Sequence, residues 1–394
     1  MEYTWPAGSF EAIGIRAHDA SISLKGTDAS DIRLESNLSE KHTARFSVER
    51  LGDWLWISSG ASIKYIQLTL LLPKQKIWPV DLYARNVNFQ ADGVRARLNL
   101  ILVKGEVKLN ECRGAFSLAS GNADVLLKRF SEEAVPEMPP LPDSKRKEKQ
   151  KSTTKVISAS WGKEDWAQWG LDFSEKMVKG LLGQKGGAGQ RQGIDIKLAR
   201  GDLQIEDTDA ETYIIRSARS DVQINAGRIS NLDLTVIRGD IESYACIPAG
   251  DWKIKTHSGD ISLTLPSDIN ARLDAATRHG DIKSVTPLVR VTRQGPEPWH
   301  GVRMVGIIGS VPDKNTEVPE IHLSVLRGDI KIETVPVAGK AARETGVRRD
   351  VKPSKVLDFY KTPMAVLEAL SEGRITVSEA EKILDSLESQ ETTA

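Results

Sequence analysis

The sequence has 394 residues, with 54 basic and 54 acidic side chains and 40% hydrophobic content. This length predicts roughly two or three folding units with continuous cores, and the balanced charge excludes a global electrostatic preference for nucleic acid, a bilayer or an acidic substrate. Only Cys112 and Cys246 are present, which excludes a disulfide-rich secreted scaffold and predicts two free thiols.

The N-terminus lacks a basic segment followed by an apolar core, and no stretch approaches about 18 consecutive apolar residues. We therefore expect neither a signal peptide nor a transmembrane helix. The expected location is the cytoplasm, and the alternative is a peripheral position at the membrane or cell envelope.

Residues 1–130 contain alternating apolar runs, such as Val94 to Val103, and a weak repeat at Gly105 and Gly121. The run from Leu68 to Pro73 recurs as Ile261 to Pro266, which indicates an internal duplication. Alternation with a period of two is typical of half-buried strands. These features predict a degenerate β-solenoid segment over 1–130.

Residues 131–190 break this pattern with several prolines and a basic run from Lys145 to Lys155, a composition typical of a linker. Apolar residues then recur at steps of three or four and predict an amphipathic helix over about 161–182. The candidate contact residues of this linker for an anionic membrane or polymer are Lys145, Arg146, Lys147, Trp166, Trp169 and Phe173. The alternative is that the aromatic face packs on a neighbouring domain.

Residues 191–338 carry the strongest signal, a Gly-Asp pair followed by an aliphatic residue. Successive units begin at 201, 220, 239, 259 and 280, with Ser220 in place of glycine in the second unit, and a further Gly-Asp unit begins at 328. A period near 20 residues fits one coil of a parallel solenoid with short strands and tight turns. The predicted structural turn residues are Gly201, Asp202, Gly239, Asp240, Gly259, Asp260, Gly280, Asp281, Gly328 and Asp329.

Other chemical interpretations of these repeats are weaker. Arg-Gly-Asp at 200–202, 238–240 and 327–329 would suggest integrin adhesion if it stood alone, but the turn already requires Gly-Asp. One Asp per coil is sparse for calcium, and the acids lie at turn positions rather than as catalytic pairs. His257 and His279 differ in their spacing to glycine, which favours surface residues over a metal pair. We expect no catalytic residues, no cofactor and no metal.

Residues 339–361 predict a flexible linker, and residues 362–390 predict a helical hairpin. Thr362 caps the first helix, Pro363 takes its first position and Gly373 ends it. Two short helices cannot bury their apolar face alone. We expect the hairpin to dock on a protein partner or on a second copy of the chain.

The Gly-Asp-Ile repeats, together with the Leu-Thr-Leu-Pro run ending at Pro266 and the segment His279 to Ile282, resemble the bacterial putative-adhesin family of repetitive β-solenoid proteins. The resemblance covers roughly 190–335 and extends to 10–130. Residues from Ala369 to Ala380 resemble the two-helix module often joined to such regions. The resemblance implies a role associated with envelope stress and no established catalytic residues.

The predicted fold is therefore all-β, a parallel β-solenoid (β-helix-like) in two segments, with a linker amphipathic helix and a small C-terminal helical hairpin. The predicted function is a non-catalytic binding or sensing protein, adhesin-like and linked to the cell-envelope stress response. The predicted partners are a protein or a second copy bound through the hairpin, and an anionic membrane surface or polymer, with no nucleic acid. The competing interpretations are a self-assembling structural scaffold and a carbohydrate-active β-helix enzyme.

Overall fold

The computed structural model describes residues 1–38, 46–60, 63, 65–135, 139, 193–286, 288–297, 301–310 and 318–335. These residues belong to one compact unit, Met1–Val337. They form a 24-stranded sheet and a small two-stranded sheet, and they contain one short 3-10 helix, Ala7–Ser9, and no α-helix. The all-β class predicted from the sequence is confirmed.

Strands of the N-terminal half are β1 (Glu2–Pro6), β2 (Ala12–Thr27), β3 (Asp31–Ser36), β4 (Phe46–Leu51), β5 (Trp54–Ser59), β6 (Ile66–Pro73), β7 (Trp78–Asp92), β8 (Arg95–Asn110), β9 (Arg113–Lys128) and β10 (Ser131–Glu132). Strands of the repeat region are β11 (Ile194–Arg200), β12 (Leu203–Glu206), β13 (Thr212–Arg219), β14 (Val222–Asn225), β15 (Arg228–Ile229), β16 (Asn231–Arg238), β17 (Ile241–Tyr244), β18 (Ile247–Pro248), β19 (Trp252–Ser258) and β20 (Ile261–Pro266). The last described strands are β21 (Ala271–His279), β22 (Ile282–Ser284), β23 (Leu288–Glu297), β24 (Gly301–Ile308), β25 (Glu320–Arg327) and β26 (Ile330–Val335).

Successive turns of the chain pair in parallel and in register, and each contributes two stretches of strand joined at a corner. In β7, β8 and β9 both stretches belong to one long strand. The first stretches form a surface that we call the first face. It consists of β11, β13, β16, β19, β25 and β21, with the first halves of β7 to β9. The second face is formed by the second stretches (β12, β14, β17, β20, β26 and β22, with the second halves of β7 to β9). Alternate residues of both faces point into a shared core.

The two halves of the chain form one continuous sheet. Phe116 of β9 pairs with Ile194 of β11, and Val125 pairs with Leu203 of β12. The predicted architecture of two parallel β-solenoid segments is therefore wrong. The strands on either side of the proline-rich segment have matching alternation, so they bury their apolar residues in one core instead of two.

Both ends of the sheet are antiparallel, which also contradicts the predicted architecture. At one end β1 pairs with β3, β3 with β6, and β4 with β5. At the other end β24 pairs with β21 and with β23. The sequence alternates in the same way in both kinds of strand, and for this reason it does not reveal their direction. The predicted helix at 161–182 and the predicted hairpin at 362–390, with the linker 339–361, lie outside the described residues.

The spatial order of the last coils differs from their order in the chain. Strand β25 lies between β19 and β21, and β26 lies between β20 and β22. The unit at Gly328 therefore sits between the units at Gly259 and Gly280. The described part of the segment 290–319 contributes most of β23 and all of β24 to the sheet.

The core confirms the predicted direction of the aliphatic residue that follows each Gly-Asp pair. Ile241, Ile261, Ile330 and Ile282 stack in register on the second face and are all buried. Full burial of one such side chain contributes about 1.5–3 kcal/mol. Cys112 and Cys246 are buried free thiols, as predicted, and burial raises the pKa of the Cys112 thiol to about 11.

Candidate functional site

The predicted turn residues form the corners between the two faces. Gly201, Gly239, Gly259 and Gly328 have positive φ, between 110° and 139°. A Cβ atom at any of them would overlap a backbone carbonyl oxygen of the neighbouring coil, and the same holds for Gly280. At these five corners the neighbouring coil approaches too closely for a Cβ atom, whereas the unit that begins at 220 has Ser220 at the equivalent position.

The aspartates of these corners bind the next coil. Each carboxylate except that of Asp281, the last in the row, accepts a hydrogen bond from the backbone N–H of the Asp in the neighbouring coil. The donor–acceptor pairs are Asp202 to Asp124 (3.1 Å), Asp221 to Asp202 (3.4 Å), Asp240 to Asp221 (3.0 Å), Asp260 to Asp240 (2.8 Å), Asp329 to Asp260 (2.8 Å) and Asp281 to Asp329 (2.8 Å). We call this set the aspartate row, and its geometry gives these carboxylates a structural task.

The predicted contact residues for a membrane or polymer are not placed by the structure. Lys145, Arg146, Lys147, Trp166, Trp169 and Phe173 all lie outside the described residues. Within the described ranges, no helix combines the length and the apolar character needed to cross a bilayer.

A groove lies on the outer side of the first face. Its volume is about 800 Å³. Strands β16, β19, β25 and β21 supply its walls and floor. The side chains that point outward into it are Thr235, Ile237, Lys255, His257, Ser324, Leu326, Ala276 and Arg278.

The groove is cationic because its neighbouring acids are already paired. Arg303 donates to both carboxylate oxygens of Asp274, at 2.9 and 2.7 Å, and Arg216 is paired with Asp233. Lys255, His257 and Arg278 are exposed, and none of them has an ion-pair partner among the residues that the structure describes. The Arg303 guanidinium holds the pKa of Asp274 below its usual range. The groove can therefore bind a carboxylate or another acidic group.

The sequence contains a signal for this groove that is separate from the Gly-Asp repeats. In β19 the polar positions of the alternating pattern are Lys253, Lys255 and His257, all basic. Arg278 occupies an outward position near the end of β21. His257 was predicted as a surface residue, and it lies in the groove, whereas His279 lies at a corner beside Arg327.

A second polar cluster lies on the outer side of the N-terminal coils. The Trp56 ring lies over Gly14, where any Cβ atom would overlap it. The Arg16 guanidinium lies 4.8 Å from the Trp56 ring centroid and 5.9 Å from that of Tyr83, and its Nε has no hydrogen-bond partner within the described ranges. Asp81, beside Gly14 in the sheet, is buried and accepts a hydrogen bond of 2.9 Å from Asn99. The aromatic rings hold Arg16 by cation–π contact.

Asp81 gives a testable pH dependence. Burial raises the pKa of its carboxyl to about 6. Because the folded pKa exceeds the unfolded value, the native state binds more protons between about pH 4 and 6, and stability falls as the pH rises through this window. We expect Asp81→Asn to raise the free energy of unfolding at pH 7 by about 1–2 kcal/mol and to flatten its pH dependence between about pH 4 and 6. Urea titrations at several pH values measure both.

Asp92→Asn is the matched control, because Asp92 also accepts a hydrogen bond from an Asn of the next coil, Asn110, and is less buried. If Asp81→Asn lowers the stability at pH 7 and leaves its pH dependence unchanged, then burial does not destabilise the charged Asp81 carboxylate.

The described residues contain no cluster of His, Cys, Asp and Glu side chains suited to holding a metal ion. The glycine corners, the aspartate row and the long parallel register define a repetitive all-β protein with an outward-facing cationic groove.

The family model Toastrack DUF4097 matches residues 10–297, more than half of the chain. The protein therefore belongs to the Toastrack family.

The solved structures that are similar to this chain include two bacterial proteins. A "putative cell adhesion protein" from Clostridium sporogenes ATCC 15579 is 10% identical, with a TM-score of 0.20, and the match covers 85% of this chain and 99% of that chain. A "putative adhesin" from Bacteroides fragilis NCTC 9343 is 11% identical, with a TM-score of 0.24, and the match covers 85% of this chain and 96% of that chain. No curated protein matches this chain.

Proposed function

We propose that this Toastrack protein is a non-catalytic, adhesin-like binding protein that binds acidic groups of a cell-envelope polymer in the cationic groove. The observation that carries the proposal is the set of Lys255, His257 and Arg278 in one concave surface, with the adjacent acids neutralised by other arginines. Ile237 and Leu326 add apolar surface to the same groove, which suits the carbon skeleton of a polymer. An envelope-stress role, implied by the family resemblance, is part of this proposal.

A binding role agrees better with the groove than a catalytic one does. Glycan-cleaving enzymes need a pair of carboxyl groups, or a base and a metal, directed at one bond. The groove itself is lined by no carboxylate, and the nearby Asp274 is engaged by Arg303. Its cations can hold an acidic ligand but supply no acid–base pair.

Self-assembly of the sheet is the competing proposal, and the outermost strands argue against it. Strand β1 ends in Pro6, and β4 carries Glu49 and Arg50. Strand β23 has register shifts against β24. Proline, charges and bulges at an edge strand block the addition of a further strand. Each of these three edge strands thus carries a feature that opposes the addition of a further strand.

The double variant Lys255→Gln with Arg278→Gln tests the groove. We expect its affinity for polygalacturonate, a linear acidic polysaccharide, to fall about 10-fold, since each exposed charge contributes up to about 1 kcal/mol. Rising salt should weaken wild-type binding, because it screens exposed charges. Biolayer interferometry on immobilised polysaccharide measures both effects.

The matched control is Lys25→Gln with Lys283→Gln, which removes two exposed lysines outside the groove, one from β2 and one from β22. This control should bind like the wild type. Equal affinity of the groove variant and the wild type, or equally tight wild-type binding of a neutral glucan, would overturn the proposed function. Binding to an envelope polymer also favours a peripheral position at the envelope over the cytoplasm, and cell fractionation tests this location.

A further inference from the structure

We infer that the ligand of this protein is a linear acidic polysaccharide that lies along the stack of coils and contacts a row of corner arginines beside the groove. This inference rests on the proposed function and adds the class and the direction of the ligand. The arginine row consists of the last residues of the first-face strands, namely Arg200, Arg219, Arg238 and Arg327, with Ser258 and His279 at equivalent positions.

The sheet register aligns these residues from coil to coil. Arg200 pairs with Arg219, and Arg219 pairs with Arg238. Ser258 pairs with Arg238 on one side and with Arg327 on the other, and His279 pairs with Arg327. Neighbouring strands are about 4.8 Å apart. The row therefore presents arginines on successive coils from Arg200 to Arg238, and Ser258 separates these from Arg327.

The row borders the groove directly. Ile237 and His257 line the groove, and the residues that follow them, Arg238 and Ser258, belong to the row. Leu326 stands in the same relation to Arg327. A polymer seated on the row can thus place its acidic groups on the arginines and on the groove cations together.

The repeated positive charge of the arginine row lowers the stability of the sheet, and an anionic ligand would offset this loss. Like charges directly opposite each other on neighbouring strands destabilise a sheet. The four arginines are exposed and have no ion-pair partner among the described residues. The turn itself requires glycine and aspartate but no arginine, since Ser258 and His279 occupy the same position.

The aspartate row lies two residues further along the chain, at the start of the second stretch of each coil. One oxygen of each described acceptor in this row is engaged by the backbone N–H of the next coil. A broad anionic surface such as a bilayer would meet both rows, and the aspartates would repel it. A narrow polymer can follow the arginines alone.

The chemistry of the surrounding side chains favours a polysaccharide over a single-stranded nucleic acid. Sequence-tolerant binding of single strands relies on aromatic side chains on which the bases stack. Neither the groove lining nor the arginine row contains an aromatic residue apart from the imidazoles of His257 and His279. Thr235 and Ser324 offer hydroxyl groups that can hydrogen-bond to sugars.

Oligogalacturonates of increasing length test the inference, with the variant Arg219→Gln, Arg238→Gln, Arg327→Gln and its charge-conserving counterpart with Lys at all three positions. For the wild type we expect affinity to rise at least 10-fold from the disaccharide to the long oligomer. The Gln variant should lose this gain yet bind the disaccharide like the wild type, and the Lys variant should retain most of it. Isothermal titration calorimetry measures the affinities, and thermal melting checks that each variant is folded.

The outcomes separate the two proposals. If the groove variant loses binding but affinity does not depend on oligomer length, or the Gln variant keeps the full gain, the inference is wrong and the proposed function stands. If the wild type binds no oligogalacturonate, the proposed function itself fails. A Gln variant that melts at a lower temperature yet binds normally would show that the arginines only offset the aspartate row. Tighter binding to single-stranded DNA, or to phosphatidylglycerol vesicles, than to the polysaccharide would overturn the ligand class.

Discussion

Ile261→Asp is expected to destabilise the fold by about 5 kcal/mol or more, the largest effect of any substitution considered for this chain. Ile261 is 1% exposed and lies in register between Ile241 and Ile330. A carboxylate at this position would be buried between two aliphatic side chains with no partner for its charge. Urea denaturation followed by circular dichroism measures the loss, and complete failure to fold would agree with it.

Ser262→Asp is the control, since Ser262 is the next residue of the same strand, points away from the core and lies between Glu242 and Lys331. It should change the free energy of unfolding by less than about 1 kcal/mol, as is usual for surface substitutions. Similar stabilities of the two variants would mean that the inward and outward sides of β20 are assigned incorrectly.

Gly259→Ala is expected to lower the free energy of unfolding by about 2–5 kcal/mol. Part of this cost, about 1–2 kcal/mol, comes from a side chain at positive φ, and Gly259 has a φ of 137°. The rest comes from overlap of the new Cβ atom with the carbonyl oxygen of Gly239 in the next coil. Chemical denaturation of the purified variant measures the total.

Gly52→Ala separates the two contributions. Gly52 has a φ of 63°, and no atom lies within 4 Å of a Cβ built there. Its substitution should cost only the conformational part, about 1–2 kcal/mol. Equal losses at Gly52 and Gly259 would show that the close approach of coils at the corners contributes nothing, and that the corner glycines serve backbone conformation alone.

The repeat region was the part of the fold that its sequence predicted best. Gly-Asp-aliphatic units set the corners, and the burial of Ile241, Ile261 and Ile282 follows from strict alternation after them. These features are local, because each depends only on residues within one coil. Strands and corners could therefore be located without knowledge of their neighbours.

The relations between coils could not be predicted in the same way. In the N-terminal half the glycines at 105 and 121 suggested equivalent positions, but Gly105 pairs with Ala123. The weak repeat failed there because β8 and β9 pass through their corners as continuous strands without the Gly-Asp signal. Antiparallel pairing of β1, β3 and β24 was missed because alternation is the same in either direction.

The candidate site depends on the same long-range relations. Lys255 and His257 lie in one strand, β19, whereas Arg278 lies in β21, which the inserted strand β25 separates from β19. The same insertion adds Ser324 and Leu326 of β25 to the groove and places Arg327 next to Ser258 in the arginine row. The separate basic residues were visible in the sequence, whereas their common surface was not.

The insertion of β25 and β26 has a consequence for how the chain reaches its native state. When residues 271–284 leave the ribosome, the strand that will separate them from β19 and β20 has not yet been made. The Ile282 unit carries the same Gly-Asp-Ile signal as the Ile330 unit, and the Asp of each unit donates its backbone N–H to the Asp carboxylate of a neighbouring coil. An early β22 can therefore occupy the place of β26 on β20 and must be displaced when β26 arrives. During refolding from denaturant, β22 and β26 are both present from the start and compete for the edge of β20. During synthesis, β22 is available before β26, so the two routes start differently.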